Sequence, residues 1–224
     1  MLFGKTKLVA DGLQDLNSRT EFSVLDPRVS QKDLFSALNV AYKNRYSAVE
    51  IFPKFVKDAV MYVREKLDDT IAIIAVIDFP FGAGSLGAKL ADIKRAISDG
   101  AGGVEVCVNI GSILSEQYAD IKALINRAVR VSKGRSVRVM IEASYLNREQ
   151  INKLCRVLLK TKADYVVANT GFGQGAITPE VVEQFKIGLK NKIKVKAAGG
   201  VSTKQIANNL IRIGADKIGT SRVL

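Results

Sequence analysis

The strongest constraint on this chain is a regular alternation. From about residue 30 onward, short β-branched runs alternate with segments of helical apolar spacing, the mark of repeated βα units around a parallel sheet. The runs predict strands at Ala48–Phe52, Ile71–Ile77, Gly103–Asn109, Val137–Ile141, Tyr165–Ala168, Ile193–Ala197 and Lys217–Gly219, with a weaker first strand at Glu21–Leu25. Helices are expected near 30–44, 53–67, 86–99, 116–133, 148–161, 179–190 and 203–213, where apolar residues recur at helical spacing. Eight strands at a repeat of about 28 residues fit a closed (β/α)8 barrel of the TIM type. An open doubly wound sheet would alternate too, but no GxGxxG follows the first strand and no Walker loop is present.

Local signals agree with these boundaries. Asn147 precedes Gln150 by three residues, Ser202 precedes Gln205 likewise, and Thr178 stands before Pro179, each an arrangement that satisfies the orphan N–H groups of a helix start. Gly100, Gly134 and Gly214 fall just past helical runs, where a left-handed residue closes a helix. No linker or low-complexity stretch interrupts the 224 residues, so a single domain, 1–224, is expected.

Composition removes several kinds of chemistry. There is no histidine, which excludes histidine triads and imidazole metal ligands and leaves lysine, carboxylates and hydroxyls for acid–base work. Cys107 and Cys155 lie in apolar segments without CxxC spacing and read as packing residues rather than a disulfide or zinc site. No apolar run reaches the roughly 18 residues of a membrane span, and charges occupy the N-terminal segment MLFGKTKLVADGLQDLN where a signal peptide is apolar. A cytoplasmic protein without a membrane partner is the expectation. The net charge of +12 would suit nucleic acid, but the lysines are spread over nearly every helix and no recognition motif accompanies them, which argues against that partner.

In a barrel the ligand site lies at the C-terminal ends of the strands. There VKAAGGVST (195–203) places Gly199 and Gly200 at a strand end before a helix, and IGTSR (218–222) repeats the logic on the last strand. Backbone N–H groups in such loops can hold an anion, and the loops after strands seven and eight are frequent phosphate sites. A small phosphorylated molecule is therefore the expected ligand, with Arg222 available for a charge-assisted contact.

Several blocks carry a specific resemblance. VIDFPFGAG (76–84), VCVNIGSILS (106–115), ADYVVANTGFGQGAITPE (163–180), VKAAGGVST (195–203) and IGTS (218–221), extended by SAVEIFPKFV (47–56) and VMIEASYL (139–146), together resemble the deoxyribose-phosphate aldolases over roughly residues 20–222. The resemblance implies cleavage of 2-deoxyribose 5-phosphate to acetaldehyde and glyceraldehyde 3-phosphate through a lysine imine, without metal or other cofactor. Independently of the resemblance, the three strand-end motifs predict that Gly171, Gly199, Gly200, Gly219 and Ser221 converge around one anion-sized phosphate pocket. The family's imine lysine, in a KTSTG-type motif on strand six, falls on Val167, and valine cannot form an imine. The second family lysine, on strand seven, is kept as Lys196. The strand-four aspartate matches Glu105, and a strand-two cysteine matches Glu50.

The family also continues past its GTS motif into a last helix, whereas this sequence ends at Leu224. A barrel without that helix is expected, its phosphate donors reduced to Gly219–Arg222. Three functional readings follow. One is an aldolase-like barrel that binds a phosphorylated sugar or aldehyde with aldolase activity lost or strongly reduced, a lyase-family pseudoenzyme. Another is an active aldolase using Lys196, where Glu50 and Glu105 are expected to raise the lysine's pKa and oppose the mechanism. The third is carboxylate-based chemistry, for example a metal site from Glu50, Glu105, Glu142 and Asp78. Homo-oligomerisation is left open.

Overall fold

A computed structural model describes residues 16–224. The N-terminal segment that argued against a signal peptide lies mostly outside the described residues. Eight parallel strands close into a barrel in sequential order: β1 (Thr20–Val24), β2 (Ala48–Ile51), β3 (Ala72–Ile77), β4 (Gly103–Cys107), β5 (Ser136–Ile141), β6 (Tyr165–Ala168), β7 (Lys194–Ala197) and β8 (Lys217–Thr220). Around it lie α1 (Gln31–Lys43), α2 (Val56–Lys66), α3 (Leu86–Ser98), α4 (Ile110–Leu114), α5 (Tyr118–Val131), α6 (Arg148–Leu158), α7 (Pro179–Leu189) and α8 (Lys204–Ile213). The expected (β/α)8 architecture is therefore observed, including the weak first strand, which pairs with both β2 and β8. Among the described residues no helix is long and apolar enough to cross a membrane.

The elements form where local chemistry directs them. Asn147 and Gln150 make a reciprocal capping box at the start of α6, and Thr178 accepts from Val181 N–H with Pro179 in the first turn of α7. One expected cap is displaced. It is Thr203, not Ser202, that caps α8, its extended backbone aiming the hydroxyl at Ile206 N–H, so Gln205 falls one position short of a capping box. Strand four stops at Cys107, two residues before its expected end, and a short helix that was not expected follows, because the Asn109 side chain accepts from Ser112 N–H and starts α4. After β8 the chain runs through four non-helical residues, and the buried Leu224 donates its N–H to the Tyr46 hydroxyl at 3.0 Å.

Side chains alternate along each strand between the helices outside and the barrel interior. The outward set, including Val49, Ile51, Val104, Val106, Val139, Val166 and Val195, joins the helices' apolar faces in one core. The inward set divides. Val76, Cys107, Met140, Val167 and Ala198 form a separate apolar cluster, with Cys107 Sγ 3.4 Å from Met140 Sδ. Cys155 is buried in the outer core, so both cysteines are packing residues, as expected.

Candidate functional site at the barrel mouth

Inside the barrel, Lys196 on β7 is fully buried and points inward. Gly219 on β8 makes room for it, because a Cβ there would stand 2.8 Å from Lys196 Cε. The ammonium meets Glu105 of β4 at 2.6 Å, Glu21 of β1 at 3.0 Å, and Glu50 of β2 in closer contact. Arg138 on β5, register partner of Glu105, completes the group by pairing with Glu21 and lying 3.4 Å from Glu105. Lys196 and Glu105 thus form an ion pair within a larger cluster. Sequence reasoning missed Glu21 and Arg138, although a charge inside each β-branched strand was the available signal.

Three carboxylates facing two buried cations cannot all ionise without leaving net negative charge in a low-dielectric interior. Burial pushes Glu105 up to about 8, against the pull of Arg138. Burial would raise Glu21 as well, but the charges of Lys196 and Arg138 prevail and hold it at about 2. For Lys196, burial dominates and lowers it to about 8, with Glu21 opposing. This corrects the expectation that neighbouring carboxylates would set the direction, because removing the amine from water outweighs them.

The expected carboxylate metal set does not assemble either. Asp78 is taken by Gly84 N–H and Lys89, and Glu142 by Ser144 and Thr170. Among the described residues the acidic group whose oxygens could share one ion is instead Glu21, Glu50 and Glu105, and the Lys196 ammonium already occupies its midst.

Above this cluster and its apolar layer the mouth opens into a cavity of about 990 Å³. Gly171, Gly199, Gly200, Gly219 and Ser221 all line it, together with Thr170, Ser202 and Arg222. It is larger than a single anion requires. Gly171, Gly199 and Gly200 have φ near +82°, a left-handed backbone that glycine adopts without strain. The loops after β6 and β7 also nearly touch, since a Cβ on Gly199 would meet Gly171 N at 3.1 Å. Glu142 holds the β6 loop from below by accepting from Thr170 N–H at 2.9 Å and from the Thr170 hydroxyl. Phe79 and Phe172, edge-on at 5.2 Å, form an apolar wall. Glu50, Met140 and Ala198 are among the lining residues and Lys196 is not.

On the strand-six position, Val167 lies beside Lys196 in register, buried within the apolar layer. Lys89 fixes the other rim, donating to Gly82 O at 2.7 Å and Cys107 O at 3.1 Å.

Comparison with known proteins adds an independent line. No protein-family model matches the chain. The chain is 32% identical over 208 residues to the deoxyribose-phosphate aldolase of Mycoplasmopsis pulmonis, covering 92% of this chain and 93% of that protein. It is 36% identical to the same enzyme of Thermococcus kodakarensis, with 88% of each chain covered. Among solved structures, an aldolase named QR15 superposes with a TM-score of 0.87 at 29% identity, covering 92% of this chain and 91% of that one. The tetrameric deoxyribose-phosphate aldolase of Aeropyrum pernix superposes at 0.83 and 25% identity, over 96% and 93%.

Proposed function

Because the chain belongs to the deoxyribose-phosphate aldolase family, we propose that it binds a small phosphorylated sugar or aldehyde at the barrel mouth, with imine-based aldol cleavage lost or strongly reduced. The observation that carries this reading is the seclusion of Lys196. Imine formation needs an unprotonated amine within reach of the substrate carbonyl. The Lys196 amine is fully buried among three carboxylates and does not line the cavity, while Val167 stands where the family's nucleophile would be. The glycine-rich loops after β6, β7 and β8 support the phosphate half of the proposal, since they face one cavity with backbone free to approach an oxyanion.

The test is borohydride trapping with 2-deoxyribose 5-phosphate, read by intact mass, beside calorimetric titration with the same compound. Binding without a covalent adduct is expected. An adduct on Lys196 would establish the second reading, an active aldolase using that lysine. One observation favours this second reading, the lowering of Lys196 to about 8 by burial, which leaves a fraction of the amine unprotonated near neutral pH. The proposal takes the protein to be cytoplasmic, and a homo-oligomer would parallel the tetrameric Aeropyrum pernix relative.

A further inference from the structure

Seven basic residues that look dispersed along the sequence are gathered by the fold at the end of the barrel opposite the mouth. The loop between α5 and β5 carries Lys133 and Arg135, and that between α6 and β6 carries Lys160 and Lys162. The loop from α7 into β7 carries Lys190, Lys192 and Lys194. All seven side chains are exposed, and none forms a salt bridge with a described carboxylate. Residues 132–136, 159–164 and 190–194 thus hold seven cations and one carboxylate, Asp164, whose Oδ2 already accepts from Val137 N–H at 2.7 Å.

These loops are neighbours in space. β5, β6 and β7 pair in that order, and their first residues are tied by Asp164 N–H to Val137 O at 2.8 Å and Lys194 N–H to Asp164 O at 3.0 Å. The same end of the barrel differs elsewhere: loops 44–47, 67–71 and 99–102 hold one cation, Arg45, and three carboxylates, Asp68, Asp69 and Asp99. The positive charge is therefore a one-sided crescent and not a uniform coat.

We propose that this crescent binds nucleic acid through its phosphate backbone, without reading bases. The covering helices stand about 10 Å apart, so three successive loops span about 20 Å, too far for one phosphate. A nucleic-acid strand, with a charge every 3.4 Å or so, offers several phosphates over that span. A membrane-binding surface would add apolar side chains able to insert, but of the aliphatic residues of these loops Ala163 and Ile193 are buried and the half-buried Leu159 packs against the core. A protein interface would be expected to have an apolar or aromatic centre depleted in lysine, and these loops have the reverse. The mouth and its phosphate loops lie at the other end of the strands, so this site is separate from the sugar-phosphate site.

The experiment is fluorescence anisotropy with a labelled oligouridylate of about twenty nucleotides at several salt concentrations. If about five of the cations engage, log K should fall against log salt with a slope of about −3 to −4. Lys133→Glu, Lys160→Glu and Lys190→Glu together should weaken binding at least tenfold at low salt and reduce the slope by about 2. The triple variant Lys32→Glu, Lys57→Glu and Lys94→Glu, on α1, α2 and α3, makes the same charge change away from the crescent and should leave most of the affinity. Thermal melting confirms that both variants fold. Equal weakening in both variants would reduce the effect to net charge and overturn the proposal, as would no binding at low salt. Tighter, crescent-dependent binding of phosphatidylserine vesicles or polyglutamate would also overturn it.

Discussion

Two layers lie one above the other inside the same barrel and solve opposite problems. The lower layer packs Glu21, Glu50, Glu105, Arg138 and Lys196 in contact, and the upper packs Val76, Cys107, Met140, Val167 and Ala198. In the lower layer each group depends on its partners, because an ion removed from water is tolerated only when neighbours compensate it. In the upper layer the contacts are non-directional and depend on filled volume alone. The contrast separates what the barrel needs for stability from what family chemistry would need for turnover. A charged layer that meets the mouth through Glu50 while Lys196 stays buried behind it offers no amine there.

The largest effect should come from removing the cation that all three carboxylates share. Lys196→Met is expected to cost about 3–5 kcal/mol in urea unfolding near neutral pH, since it leaves buried acids uncompensated. A loss below about 1 kcal/mol would mean that the carboxylates simply take up protons, and the distinction between the layers would fail. In the upper layer Met140→Ala should cost about 2–4 kcal/mol through the cavity it leaves, with no change in how stability depends on pH. A pH-dependent loss there would blur the two layers.

Titration sharpens the comparison further. Glu105, raised to about 8 in the folded chain, keeps its proton between its unfolded value near 4.5 and about 8 while the unfolded chain loses it. Its contribution is therefore fully present below about 4.5 and declines as pH rises towards 8. Glu21 acts oppositely at lower pH, its contribution vanishing as pH falls from about 4.5 towards 2. Glu105→Gln should remove the decline between about 4.5 and 8, changing the difference across that window by about 1–3 kcal/mol. Superimposable pH profiles for variant and wild type would show that Glu105 ionises normally.

The smallest effect is expected on catalysis. Val167→Lys alone should restore little retro-aldol turnover of 2-deoxyribose 5-phosphate, because the nearby Glu50 carboxylate favours the charged amine. Val167→Lys combined with Glu50→Cys should exceed it, by up to about tenfold, in a coupled acetaldehyde assay. Equal rates for the single and double variants would remove Glu50 from the argument.

Much of the fold was legible because strand and helix periods differ and the chain alternates between them without interruption. The exceptions were local. The helix at Ile110–Leu114 is only five residues long, too short for helical spacing to show, and the Asn109 cap is its local mark. Within the site, alternation along β4 and β7 suffices to face Glu105 and Lys196 inward. It does not place Glu21, because β1 becomes a neighbour of β8 only on closure, and nothing along the chain announces that pairing. In sequence Asp78 and Glu142 are indistinguishable from the interior acids, because strand ends look alike there. The donors that claim them, Gly84, Lys89, Ser144 and Thr170, come into place only with the loops.

The grip of Glu142 on the β6 loop has a kinetic consequence. Three hydrogen bonds from Ser144 and Thr170 fix that carboxylate, and Gly173 passes so close that any larger residue would strike it. The loop is therefore shaped during folding and has little left to rearrange when a ligand arrives. Stopped-flow binding should show a single phase whose observed rate climbs linearly with ligand concentration, and ligands of different affinity should differ chiefly in how long they stay.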